Sequence, residues 1–156
     1  MNTKKEQIDI LQKHLSSIRK IAGWTLEELG EKIGVTKQTI SNLENDKTKM
    51  TLTQYLAIMT ILDYEIKDNK DNIVLSHVVE ILLNRNEEFS DEEFKEISKN
   101  VETIAATASG GIKGDTLISL AENLLAGPIV GPFAGNLAKK WLSKMIKDKK
   151  NKKDEK

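Results

Sequence analysis

The 156-residue chain has no cysteine, only 2 prolines and only 2 histidines. Without cysteine there are no disulfides and no thiolate metal ligands, which suits a reducing compartment. His14 and His77 lie far apart with no second ligand at metal spacing, so both read as ordinary surface or packing residues, and no metal or cofactor is expected. The chain also lacks a glycine-rich phosphate loop and any nucleophile–base arrangement that the spacing supports, so an enzyme is not expected. The acidic run Glu87, Glu88, Asp91, Glu92, Glu93 and Glu96 reads as a solvated helix start, favoured there by the helix dipole. The opening stretch MNTKKEQIDILQKHL lacks the apolar run of a signal peptide, and the expected address is cytoplasmic.

What is present is a helix-rich composition, 38% hydrophobic and 31% charged, of a length that suits one domain or two small ones. The zero formal charge hides an asymmetry. Residues 1–64 carry 9 basic and 8 acidic groups, residues 65–100 carry 5 and 10, and residues 139–156 carry 9 and 3. A DNA-binding segment is usually more basic than the first of these, but phosphates meet only one face of a domain.

Leu11, Leu15, Ile18 and Ala22 recur at helical spacing, which predicts an amphipathic helix over about residues 5–22, ended by Gly23. Thr25 and Glu28 have capping-box spacing and open a short helix with Leu26, Leu29 and Ile33 inward. Gly34 ends it, and Thr36 caps a third helix with Ile40 and Leu43 inward. Thr51 and Gln54 form another box, opening a fourth helix with Leu52, Leu56, Met59 and Leu62. Two short helices separated only by residues 34–36 have the geometry of a helix-turn-helix.

The stretch from Ile18 to about Tyr64, with Glu28, Leu29, Gly30, Gly34, Val35, Ile40, Leu43, Glu44 and Asn45 in one register, resembles the lambda-repressor/Cro (XRE) family of regulators. The resemblance covers about residues 11–66. It implies a DNA-binding domain over residues 1–68 whose third helix reads the major groove of double-stranded DNA. With Ile40 and Leu43 inward, Lys37, Gln38 and Asn42 point outward, with Thr39 and Ser41 beside them. Gln and Asn can each pair with two edge atoms of adenine, whereas Lys suits guanine or phosphate. The resemblance also implies phosphate contacts from Lys47, Thr48 and Lys49, and from Thr25 at a helix N-terminus. It implies an Arg19–Glu44 bridge between the first and third helices, two exposed charges being the alternative reading. Two positions depart from the family pattern: Leu26 stands where a phosphate-binding Gln is common, and Asp46 replaces a turn glycine. Trp24 reads as a hydrophobic staple rather than a base-stacking platform.

The resemblance ends there, and residues 69–156 are expected to be a helical oligomerisation or effector region in an all-α chain. Residues 64–75 fit either a short β-hairpin around the Asp/Asn-rich 68–72 or a linker into the next helix. Residues 76–85 are apolar nearly all round, which predicts burial in the chain's own core or against a partner. Ser90 opens a helix whose Phe94, Ile97, Val101, Ile104 and Ala108 make a packing stripe, a dimer interface being one use for it. Gly127, Gly131 and Gly135 interleave with Pro128 and Pro132, read as the turn of a helical hairpin. A last helix carries Phe133, Leu137, Trp141 and Met145 opposite a lysine face, before a lysine-rich tail expected to be disordered from about residue 148. That helix fits a core or dimerisation surface, an anionic membrane surface, or a protein-partner or phosphate-contacting arm. A homodimer is expected because one short recognition helix reads few base pairs. The functional expectation is a dimeric transcriptional repressor, with a DNA-binding antitoxin, a partner-sensing regulator or a membrane-associated protein as alternatives.

Overall fold

Helix ends in this protein are set by hydroxyl caps and glycines, and the computed structural model, which describes residues 2–126, shows most of them satisfied. Thr3 caps α1 (Lys4–Ala22) in a full box: its hydroxyl accepts from the Glu6 amide, and the Glu6 carboxylate accepts from the Thr3 amide. Gly23, at φ 81°, closes that helix in the left-handed region. Thr25 caps α2 (Leu26–Ile33) by accepting from the Glu28 amide at 3.0 Å, but Glu28 does not return the bond, so the expected box is half made. Thr36 caps α3 (Lys37–Glu44), and Thr51 with Gln54 makes a full box at the start of α4 (Leu52–Asp68).

The chain continues through α5 (Ile73–Val79), a π-helical turn (Glu80–Asn84), a short 3-10 turn (Asn86–Glu88), α6 (Asp91–Ser109) and α7 (Gly114–Ala126). The fold is all-α, and no strand occurs among the described residues. The hairpin expected as one alternative over residues 64–75 is therefore not formed. Leu62 and Ile66 keep the helical phase inward, so α4 runs on to Asp68. The Asp/Asn-rich stretch serves as a helix-to-helix turn, in which Asn72 accepts from the Leu75 amide to cap α5 and donates to the Ile21 carbonyl at 2.8 Å.

The phase of α4 also differs from expectation. Its inward residues are Tyr55, Ile58 and Leu62, with Met59 half-buried, whereas Leu52 and Leu56 are 49% and 50% exposed. The 3- and 4-residue spacing of Tyr55, Ile58 and Leu62 defines the stripe that meets α1 and α2, and the two leucines lie off it.

One apolar cluster runs from Leu11 to Leu125. Its centre is α1, which packs against α3 and α4 and also against α5, the π-helical turn and α6. Gln12 and His14, about 200° apart around the helix, show the two sides: Gln12 reaches Thr48 in the segment after α3, and His14 reaches Ser98 of α6. The dense apolar run 73–82 is buried in this chain's own core, as is the α6 stripe of Ile97, Val101 and Ile104. That stripe is covered by α1 and α7, so it is not a free dimer face. The expected Gly/Pro turn, the last helix with Phe133, Leu137, Trp141 and Met145, and the lysine-rich tail lie outside the described residues. Among those described, no helix is long and apolar enough to cross a membrane.

Candidate DNA-binding face

The tight turn between α2 and α3 requires small residues. A Cβ on Gly30 would come within 2.6 Å of the Val35 carbonyl oxygen, so the bare backbone lets the turn close against α2. Gly34 sits at φ 78°, where side chains are disfavoured. Ile40 and Leu43 then anchor α3 in the core, at 0% and 1% exposure.

That anchoring turns the polar side of α3 outward. Lys37 and Gln38 are exposed, and Thr39, Ser41 and Asn42 are half-buried beside them. The Gln38 side-chain amide donates to Asn42 Oδ1 at 3.0 Å, joining the two residues across one turn. The Thr39 hydroxyl lies 3.1 Å from that of Thr36, and Asn45 Nδ2 donates to the Ser41 carbonyl at 2.9 Å. Thr25 is exposed at the start of α2. Leu26 is half-buried against the core, so it contributes packing where a polar residue would contribute a hydrogen bond.

The segment after α3 carries Lys47, Thr48 and Lys49, all exposed. Asp46 stands at φ 55°, the left-handed conformation that Asp adopts more readily than most residues. Lys49 Nζ lies 2.9 Å from Asp46 Oδ1, and this partner raises the Lys49 pKa above its ordinary value. Both side chains are well exposed, so the pair is screened and easily parted.

Two groups fix this face to the rest of the fold. Arg19 meets Glu44 in a bidentate pair, Nε to Oε2 at 2.7 Å and Nη2 to Oε1 at 3.0 Å, while Nη1 donates to the Trp24 carbonyl at 2.9 Å. The two side chains are only 11% and 8% exposed, and the guanidinium ties α1 to α3 and to the entry of α2. The Trp24 side chain is buried, with Lys32 Nζ 5.1 Å from the ring centroid, and it is not presented for base stacking. Gln12 is the second group, and sequence reasoning missed it. It is 6% exposed and bonds to Leu43, Thr48 and Met50. The signal was a polar residue set within the apolar stripe of Leu11 and Leu15.

A cleft of about 330 Å³ lies behind this segment, lined by Asp9, Gln12, Lys13, Leu43, Glu44, Asp46 and Lys49. Its mixed charges include no group of three or more carboxylates or imidazoles that could hold a metal, and none occurs elsewhere among the described residues.

A short helix, a glycine turn and a second helix with a polar outer face, braced by α1 and α4, define a helix-turn-helix domain. The family model described as helix-turn-helix matches residues 15–69, and that segment is a domain of the XRE type. Antitoxin HipB of Escherichia coli (strain K12) is 44% identical over 46 residues, covering 30% of this chain and 52% of the relative. Antitoxin HipB of Escherichia coli O6:H1 (strain CFT073) is 41% identical over 46 residues, covering 30% and 49%. The chain thus spans about half the length of the curated relatives it matches. No solved structure matches it.

Proposed function

We propose that the protein is a dimeric transcriptional repressor that places α3 in the major groove of a pseudo-palindromic operator and acts in the cytoplasm. Gln38 and Asn42 read adenine edges, Lys37 takes guanine or phosphate, and Thr39 and Ser41 line the same surface. Thr25, Lys47, Thr48 and Lys49 hold the flanking phosphates. The observation that carries this reading is the linked Gln38–Asn42 pair on the outer side of an anchored helix. A second copy supplies the second half-site, which multiplies the discrimination a single short helix achieves. A gel-shift assay on the DNA upstream of the protein's own gene tests it. A retarded band weakened in the Gln38→Ala/Asn42→Ala double variant is expected, and undiminished binding by that variant would refute the readout.

A second reading has specific support, because the two relatives matched over 46 residues are antitoxins. On this reading the same DNA-binding domain belongs to the antitoxin of a toxin–antitoxin pair, and the helices after residue 69 carry the docking surface for the toxin. Native co-purification decides between the two. A stoichiometric complex with the product of a neighbouring gene favours the antitoxin, and a clean homodimer favours the free-standing repressor.

A further inference from the structure

Residues 48–50 lie between the ends of two helices, and no backbone–backbone hydrogen bond is made by their amides. The last such bond before the gap runs from the Lys47 amide to the Asn42 carbonyl, and the next element begins at the Thr51 cap. One side chain spans the gap. Gln12 Nε2 donates to the Thr48 carbonyl at 2.7 Å and to the Leu43 carbonyl at 3.0 Å, and Gln12 Oε1 accepts from the Met50 amide at 2.9 Å. The Leu43 carbonyl, in the last turn of α3, also accepts from the Asp46 amide at 3.2 Å. Thr48 and Met50 bracket Lys49. The carboxamide therefore uses both of its ends to hold the backbone on either side of an exposed cation, and it does so from a buried position on α1.

We propose that Gln12 is a positioning residue for DNA binding: it pre-forms the segment carrying Lys47, Thr48 and Lys49 so that their contacts to the phosphate backbone need little ordering. This rests on the reading of that segment as a phosphate-binding face. Ordering a free loop on binding subtracts from affinity, and a loop already held by the fold avoids that loss. Gln12 touches no DNA in this arrangement, so its effect is the same on every DNA sequence.

The test measures affinity for random-sequence duplex DNA by fluorescence anisotropy over a range of salt concentrations. Gln12→Met keeps length and apolar stem but makes no hydrogen bond, and Gln12→Glu keeps the acceptor for Met50 while losing the donations to Leu43, Thr48 and, at 3.5 Å, Asp46. Each is expected to weaken binding about tenfold and to flatten the dependence of log K on log salt by about 1–2. Amide exchange at residues 48–50 is expected to speed up without DNA present, with the thermal midpoint tracked separately. In a Lys47→Ala/Lys49→Ala background the Gln12 substitutions should have a much smaller effect on DNA affinity than in the wild type, an outcome that simple loss of stability does not produce. Wild-type affinity and slope in Gln12→Met and Gln12→Glu, alongside a loss in the two-lysine variant, would overturn the inference alone. An unchanged two-lysine variant would overturn the phosphate-face reading and the inference with it. Should Gln12→Met fail to fold, Gln12→Glu carries the same comparison.

Discussion

The Gln38 side-chain amide donates to Oδ1 of Asn42 at 3.0 Å, one turn further along α3. The bond fixes which way each amide faces. Asn42 has its oxygen engaged and its Nδ2 hydrogens free, while Gln38 keeps its oxygen and one hydrogen. Two side chains that each could pair with a base edge are thus presented as one oriented surface rather than as two independent rotors.

The pair should therefore behave non-additively. Gln38→Ala and Asn42→Ala are each expected to cost about 1–3 kcal/mol of operator affinity, and the double variant less than their sum. Titrated gel shifts on operator DNA measure this coupling. Strict additivity would show that the intramolecular bond plays no part in recognition.

Arg19 and Glu44 form a nearly buried ion pair between α1 and α3. Removing one partner leaves the other charge poorly solvated, so Arg19→Ala should destabilise the fold by about 3–5 kcal/mol. Arg19→Lys should fall in between, because an ammonium cannot reproduce the fork that also reaches the Trp24 carbonyl. Arg19→Met with Glu44→Leu should regain much of the loss. Thermal melts of the four proteins give the ranking.

At Asp46 a carboxylate occupies a left-handed position and engages Lys49. Asp46→Asn keeps a residue tolerated in that conformation while removing the negative charge beside the lysine. Affinity for duplex DNA is expected to rise several-fold, with a steeper salt dependence because a further cation meets phosphate. Equal or weaker binding in anisotropy titrations would argue against Lys49 as a phosphate contact.

Stability should depend on pH through two buried imidazoles. Burial, reinforced by Arg85, lowers the His77 pKa from 6.5 to about 4, and burial also lowers that of His14. The unfolded chain then binds protons that the folded chain refuses, so stability is fully present above pH 6.5 and is lost as pH falls towards 4. His77 alone accounts for about 3 kcal/mol across that window. Urea titrations at a series of pH values should show this slope, and His77→Leu should flatten it; an equal slope in the variant would assign the dependence elsewhere.

The helix-turn-helix was legible because its determinants are local. Thr25, Thr36 and Gly34 set helix ends within a few residues, and Ile40 with Leu43 sets the phase of α3 without help from distant chain. The inner side of α4 was harder, since Leu52 and Leu56 are as apolar as Ile58 and only the position of α1 and α2 selects among them. The second buried side of α1 escaped the periodicity because it is carried by His14 and Ser17. Such polar residues become interior only when a partner arrives, and for His14 that partner is the Ser98 hydroxyl 3.0 Å away, 84 residues along the chain. Gln12 escaped in the same way: its bonds reach 31 to 38 residues ahead.

The placement of α1 between two sets of helices has a consequence for anyone trimming this protein. A chain cut at residue 69 would keep the whole matched segment and yet expose the flank of α1 that α5 and α6 cover, with the Ile21 carbonyl stripped of Asn72. The smallest piece that comparison picks out is thus smaller than the smallest piece able to stay dry inside. A gene fusion or biosensor built on this protein should carry the helices through α7.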